Sequence, residues 1–140
     1  MANERIIIKG GTIIGVGKED IAIEGGTISE RRNCIEPKAE DRVINAEGLL
    51  VAPSFIDVHV HLREPGYGYK ERIATGTMAA AHGGYTTVCS MPNLNPVPDS
   101  VENLKVQQDI IDRDAKIEVL PYAAITIGRK GEELVDIASL

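Results

Sequence analysis

The sequence is poor in cysteine: its 140 residues include only Cys34 and Cys89, with no CxxC spacing. Two thiols cannot build a disulfide framework, and the natural setting is a reducing cytoplasm. Cationic charge is also scarce. Fifteen Lys and Arg stand against 21 Asp and Glu, giving a net charge of −6. This balance excludes nucleic acid as an expected partner, because phosphate binding needs clustered Lys and Arg. No run approaches the ~20 apolar residues that span a bilayer, so no membrane partner is expected. The opening Met1-Ala2-Asn3-Glu4-Arg5 lacks the charged segment and long apolar core of a secretory signal. Internal repeats and low-complexity segments are absent as well.

What is present is an ordinary globular composition, 43% hydrophobic and 26% charged. Fourteen glycines and seven prolines mark frequent turns. Residues 1–52 read as a small β-sheet module. Short β-branched runs occur at Ile6-Ile7-Ile8, Thr12-Ile13-Ile14, Ile21-Ala22-Ile23, Val43-Ile44 and Leu49-Leu50-Val51. The pair Gly25-Gly26 between two such runs is a hairpin signal, since that turn needs positive φ. A charged loop is expected from Glu30 to Arg42.

From Pro53 the pattern becomes strand, helix, strand, helix. Strands are expected at 55–61, 85–91 and 117–125. A first helix is expected from Lys70 to His82, closed by Gly83-Gly84. A second follows a capping box formed by Asp99 and Glu102, with Val101, Leu104, Gln108 and Ile111 on its apolar side. A third is expected to begin at Glu132. Such alternation predicts an α/β fold with a parallel sheet and helical crossovers. A (β/α)8 barrel needs roughly 250 residues, and about three βα units fit in 53–140. The chain also runs out inside the third expected helix, so the sequence reads as a fragment.

The sharpest chemical feature is Asp57-Val58-His59-Val60-His61-Leu62-Arg63. Alternation along a strand puts Asp57, His59 and His61 on one face and Ile56, Val58, Val60 and Leu62 on the other. The apolar face suits a helix layer and the polar face a barrel interior. Two neutral imidazoles side by side can chelate one divalent ion, with Zn2+ preferred among several. Two donors do not fill a four-coordinate site, so further ligands must come from elsewhere. His82, in the last turn of the first helix, reads instead as a cation at the helix C-terminal dipole.

Residues 52–66, from Ala52-Pro53-Ser54-Phe55 through His59-Val60-His61-Leu62-Arg63-Glu64-Pro65-Gly66, resemble the first barrel strand of dihydroorotases in the amidohydrolase superfamily. Gly83-Gly84-Tyr85-Thr86-Thr87-Val88 and Met91-Pro92-Asn93-Leu94-Asn95-Pro96 resemble the second strand and its loop. The resemblance implies that 1–52 is the N-terminal part of a small composite β domain, and that 53–140 begins a metal-dependent barrel. It implies His59 and His61 as ligands of a zinc site of one or two ions. It implies Arg63 and Asn93 as the holders of the dihydroorotate carboxylate. Asp57 would sit behind the ligands and orient an imidazole. The reaction implied is reversible opening and closing of a cyclic amide. Its proton-shuttling Asp and the remaining ligands are expected beyond residue 140, so the chain alone is expected to be inactive. Besides its small-molecule substrate, the partners this implies are the remainder of the same polypeptide, a second copy, or a pyrimidine-pathway enzyme. Ser54, Leu94 and Tyr67-Gly68-Tyr69 depart from the family's pattern. Allantoinases, dihydropyrimidinases, and a catalytically dead structural subunit are the alternatives.

Overall fold

The structure, a computed structural model, describes residues 4–140. The readings made on Met1 to Asn3, including the start of the β module, lie outside the described residues. The chain divides into two compact units, Met1–Pro53 and Ser54–Leu140.

Among the described residues the first unit is built from seven short strands in two sheets. β1 (Ile6–Lys9), β4 (Asp20–Glu24), β5 (Thr27–Arg32) and β6 (Arg42–Asn45) form one sheet in the order β5-β4-β1-β6. β2 (Thr12–Ile13), β3 (Gly17–Lys18) and β7 (Leu50–Val51) form the other, in the order β3-β2-β7. The β4–β5 hairpin turns at Gly25 and Gly26, whose φ values are 58° and 80°. Positive φ at both central residues is what a type I′ turn requires. The expected charged loop starts later than Glu30, because β5 continues to Arg32, in register with Asp20. Ile7, Ala22 and Ile35 make the buried core. Beside it, Asp20 accepts from the N–H groups of Gly10 (2.7 Å) and Ile35 (2.9 Å). Burial pushes this carboxyl up, but those N–H groups and the Lys9 ammonium outweigh it and hold the pKa below the usual value.

The second unit is a three-stranded parallel sheet in the order β10-β9-β8, with β8 (Phe55–Val60), β9 (Tyr85–Ser90) and β10 (Glu118–Pro121). Helices α1 (Ile73–His82) and α2 (Val101–Asp114) are the crossovers. Leu62, Ile73, Val88, Ile111 and Val119 form the buried core between sheet and helices. The helix layer covers less of β8 than the alternating pattern implies. Val60 and Leu62 join the core, whereas Ile56 and Val58 are 63% and 62% exposed. The cause is that α1 packs on β9 and α2 on β10, with β8 at the sheet's end.

Other boundaries also shift. α1 begins at Ile73, not Lys70, because Lys70 closes a turn by donating to the Tyr67 carbonyl. The cap of α2 is Ser100, whose hydroxyl accepts from the Asn103 N–H, and not Asp99. Gln107 and Ile111 are the buried residues of α2, while Val101 is 47% exposed. Gln107, not Gln108, points inward because Ser90 of β9 offers a partner: the Gln107 amide donates to the Ser90 hydroxyl over 2.9 Å. β10 ends at Pro121, and no helix forms after Glu132. The backbone there is engaged sideways. Val135 N–H donates to the Ile125 carbonyl and Ile127 N–H to that of Glu133, so these groups pair across a bridge and not up a helix.

Asp99 instead anchors this last segment. One carboxylate oxygen accepts from Gly128 N–H (2.7 Å), the other from the Asn103 amide (2.9 Å). The Gly128 contact first, then Asn103, holds its pKa below the usual value. A lowered folded-state pKa adds stability above the unfolded-state value, and that stability is lost as pH falls through the folded one. The unfolding free energy should therefore fall more steeply below about pH 4 in the parent than in Asp99→Asn, as read by urea titrations at stepped pH. Ser90→Ala should cost about 1–3 kcal/mol, because it strands the buried Gln107 amide; the same titrations at neutral pH measure it.

Candidate metal and substrate site

The candidate residues gather at the C-terminal ends of β8 and β9, where parallel α/β sheets place their sites. His59 lies within β8 and His61 one residue past it. Their ring centres are 5.4 Å apart and the planes meet at 76°, so both imidazoles share one side of the strand. Two imidazoles bound to one tetrahedral ion at about 2.0–2.1 Å have ring centres roughly 5 Å apart. The observed pair fits that spacing. Both histidines are exposed. No group of three or more His, Cys, Asp or Glu is gathered to hold an ion among the described residues.

Asp57 occupies a register irregularity, where three steps along β8 match two along β9. Its carboxylate accepts from the His59 backbone N–H at 3.0 Å. It thus stiffens the bulge that carries His59 and makes no contact with an imidazole nitrogen, in contrast to the expected orienting role. The group that does contact a ring is Asn93, whose Oδ1 is 2.9 Å from His61 Nδ1.

Arg63 stands at the next turn with φ of 63°, a left-handed conformation uncommon outside glycine. Glu64 N–H closes onto the Leu62 carbonyl across it, and Tyr67 N–H donates to the Arg63 carbonyl, each over 2.9 Å. Glu64 fixes this turn from the far side. Its carboxylate accepts from Ile73 N–H at the start of α1 (2.8 Å) and pairs with Arg72 (3.3 Å). Sequence reasoning missed Glu64, because it caps a helix nine residues downstream, outside the spacing of a capping box.

The loops after β8 and β9 interlock. Asn95 N–H donates to the Pro65 carbonyl at 3.2 Å, and Leu94 is buried beneath. Burial accounts for an apolar residue at 94. Of the other departures, Lys70 stands 5.6 Å from both the Tyr67 and Tyr69 ring centres, a cation–π arrangement. The Ser54 hydroxyl bonds that of Thr86. Past β9 and β10 a cavity of about 510 Å³ is lined by Met91, Pro92, Tyr122, Ile125 and Arg129 among others. Tyr122 and Arg129 lie outside any motif in the sequence. The Cys89 thiol beside the Tyr122 phenol raises its pKa.

Gly66 has φ of 91°, and a Cβ there would come within 2.6 Å of Asn95 Cβ and closer still to the Asn95 carbonyl. Gly66→Ala should therefore lower stability by about 1 kcal/mol or more. Thermal unfolding measures it against Gly131→Ala, a control with a similar left-handed φ of 78° and nothing within 4 Å of the added Cβ; equal melting points would show that the loops are not locked.

A family model described as Dihydro-orotase-like matches residues 48–140. The dihydroorotase of Staphylococcus aureus is 52% identical over 137 residues, which are 96% of this chain and 32% of that protein. The dihydroorotase of Anoxybacillus flavithermus is 49% identical over 121 residues, 86% of this chain and 28% of that protein. The chain thus spans about a third of the length of the curated relatives it matches. Among solved structures, the L-hydantoinase (dihydropyrimidinase) from Arthrobacter aurescens aligns with a TM-score of 0.81 at 22% identity, over 90% of this chain and 29% of that one. The D-hydantoinase (dihydropyrimidinase) from Thermus sp. aligns with a TM-score of 0.73 at 30% identity, over 91% and 29%. These likenesses agree with the α/β class read from the sequence.

Proposed function

Because this chain belongs to the dihydro-orotase-like family, we propose that it supplies part of the active site of an enzyme interconverting dihydroorotate and N-carbamoyl-aspartate. The observation that carries the proposal is the His59–His61 pair, with ring centres 5.4 Å apart on one side of β8. His59 and His61 are two ligands of a divalent ion, with zinc the favoured one for imidazole donors. The remaining donors and the proton-shuttling carboxylate come from the two thirds of the relatives' length that this chain does not cover. A bound divalent ion supplies Lewis acidity and makes water nucleophilic near neutral pH.

The chain's own residues then bind and orient. Arg63 offers a planar fork for the dihydroorotate carboxylate. Its left-handed turn is pinned by Glu64, whose carboxylate accepts from Ile73 N–H at the start of α1 and so holds the side chain's origin fixed. Asn93 donates to the same carboxylate from its amide N–H groups. Asp57 keeps the His59 backbone in place. The unit Met1–Pro53 is the chain's share of a small β domain, and Ser54–Leu140 opens the barrel.

Specificity separates this reading from hydantoinase activity. Hydantoin and dihydrouracil carry no carboxylate, so an arginine and an amide aimed at one would serve dihydroorotate alone. In the catalytically competent protein containing this chain, dihydroorotate should be hydrolysed with the highest kcat/KM, ahead of dihydrouracil and allantoin. Arg63→Gln should cost dihydroorotate about 1.4–2.7 kcal/mol in transition-state binding, a loss of roughly ten- to a hundredfold in kcat/KM. Dihydrouracil should be affected far less. Allantoin as the better substrate, or equal loss for both rings, would overturn the assignment. His59→Ala and His61→Ala should each lower bound metal, measured by elemental analysis.

A further inference from the structure

We infer that Asn93 is a positioning residue for His61, holding its imidazole in the single tautomer that presents Nε2 to a cation. The inference deepens the reading above and rests on it. It begins with the atoms that face each other: His61 Nδ1 and Asn93 Oδ1, at 2.9 Å. An amide oxygen only accepts, so Nδ1 must carry the proton. A neutral imidazole has one N–H, and its other nitrogen is then a free lone pair. Nε2 is thereby committed to accept a metal.

The contact is built by the fold, since the two residues are 32 positions apart in sequence. Met91 N–H donates to the Val60 carbonyl at 2.9 Å, so the β8–β9 ladder runs up to the residues just before His61 and Asn93. On the other side, Leu94 is buried and Asn95 is tied to Pro65. Asn93 is therefore held from both directions with its oxygen against the ring. His59 differs, because its neighbouring carboxylate engages the backbone and not the imidazole. The two histidines of the pair are thus unequal: the structure presets one and leaves the other to be set by what binds. This role uses only Oδ1, which leaves Nδ2 for the substrate carboxylate.

A group that fixes a ligand's tautomer changes metal affinity without touching the metal, typically by about 10–100-fold. The test uses the catalytically competent protein containing this chain, in which the remaining donors are present, and two readouts. Long-range ¹H–¹⁵N spectra of that protein, freed of metal, should show His61 protonated at Nδ1. Asn93→Ala should shift His61 toward the Nε2-protonated form, and Asn93→Asp, which keeps an acceptor, should retain the Nδ1-protonated one. Calorimetric titration with Zn2+ alone should show Asn93→Ala weakened by about tenfold or more, and Asn93→Asp restored to near the parent value. Thermal melts of both variants check folding, and the Asp variant supplies the decisive comparison if the Ala variant is unstable. If Asn93→Ala leaves both the His61 spectrum and the Zn2+ affinity unchanged while His61→Ala abolishes binding, the positioning role is overturned and the metal reading stands. If His61→Ala binds Zn2+ as the parent does, or the parent binds none, the metal reading fails and this inference with it.

Discussion

The parallel pairing of β8 with β9 governs the placement of every candidate residue in the second unit. His59 lies on one strand, His61 just past its end and Asn93 in the loop after the next, and the ladder between the strands brings them together. What keeps that ladder in register is apolar packing on the opposite face. Leu62 and Val60 lie against Ile73 and Val88, so the strand cannot slide by a residue without moving these side chains into water. Burial on one face thus fixes chemistry on the other.

A second level of constraint lies in the loops. Arg63 adopts a backbone conformation that its residue type disfavours, and Glu64, Gly66 and Asn95 surround it with fixed partners. A strained residue persists where neighbours over-determine it. Here the neighbours are a helix start and a facing loop, each anchored in turn by a buried residue, Ile73 and Leu94.

The features legible in the sequence were those with local signatures. Gly25-Gly26 announced its hairpin, the strand pattern placed β8 and β9, and the two-residue spacing of His59 and His61 gave a shared side. What the sequence hid depended on partners distant along the chain. Gln107 turns inward only because Ser90 awaits it 17 residues away. Asp99 looks like a helix cap, yet it spends its carboxylate on Gly128. The stretch after Glu132 reads as the start of a helix, but Val135 N–H donates to the Ile125 carbonyl and the Glu133 carbonyl accepts from Ile127 N–H. Asp57 shows the same limit at the site itself. Alternation placed it beneath the imidazoles, and a bulge redirected its oxygen to the backbone.

Among the described residues β8 ends its sheet, and Phe55, Ile56 and Val58 along it are more than half exposed. Such a border is adhesive. Its free amide and carbonyl groups are a mould on which another extended segment can stack, and its greasy side chains reward the match. Prepared at millimolar concentration, the chain would tend to pair with copies of itself through this margin. Lysine or proline substitutions there would act as a blocker and keep the imidazole face open to solvent.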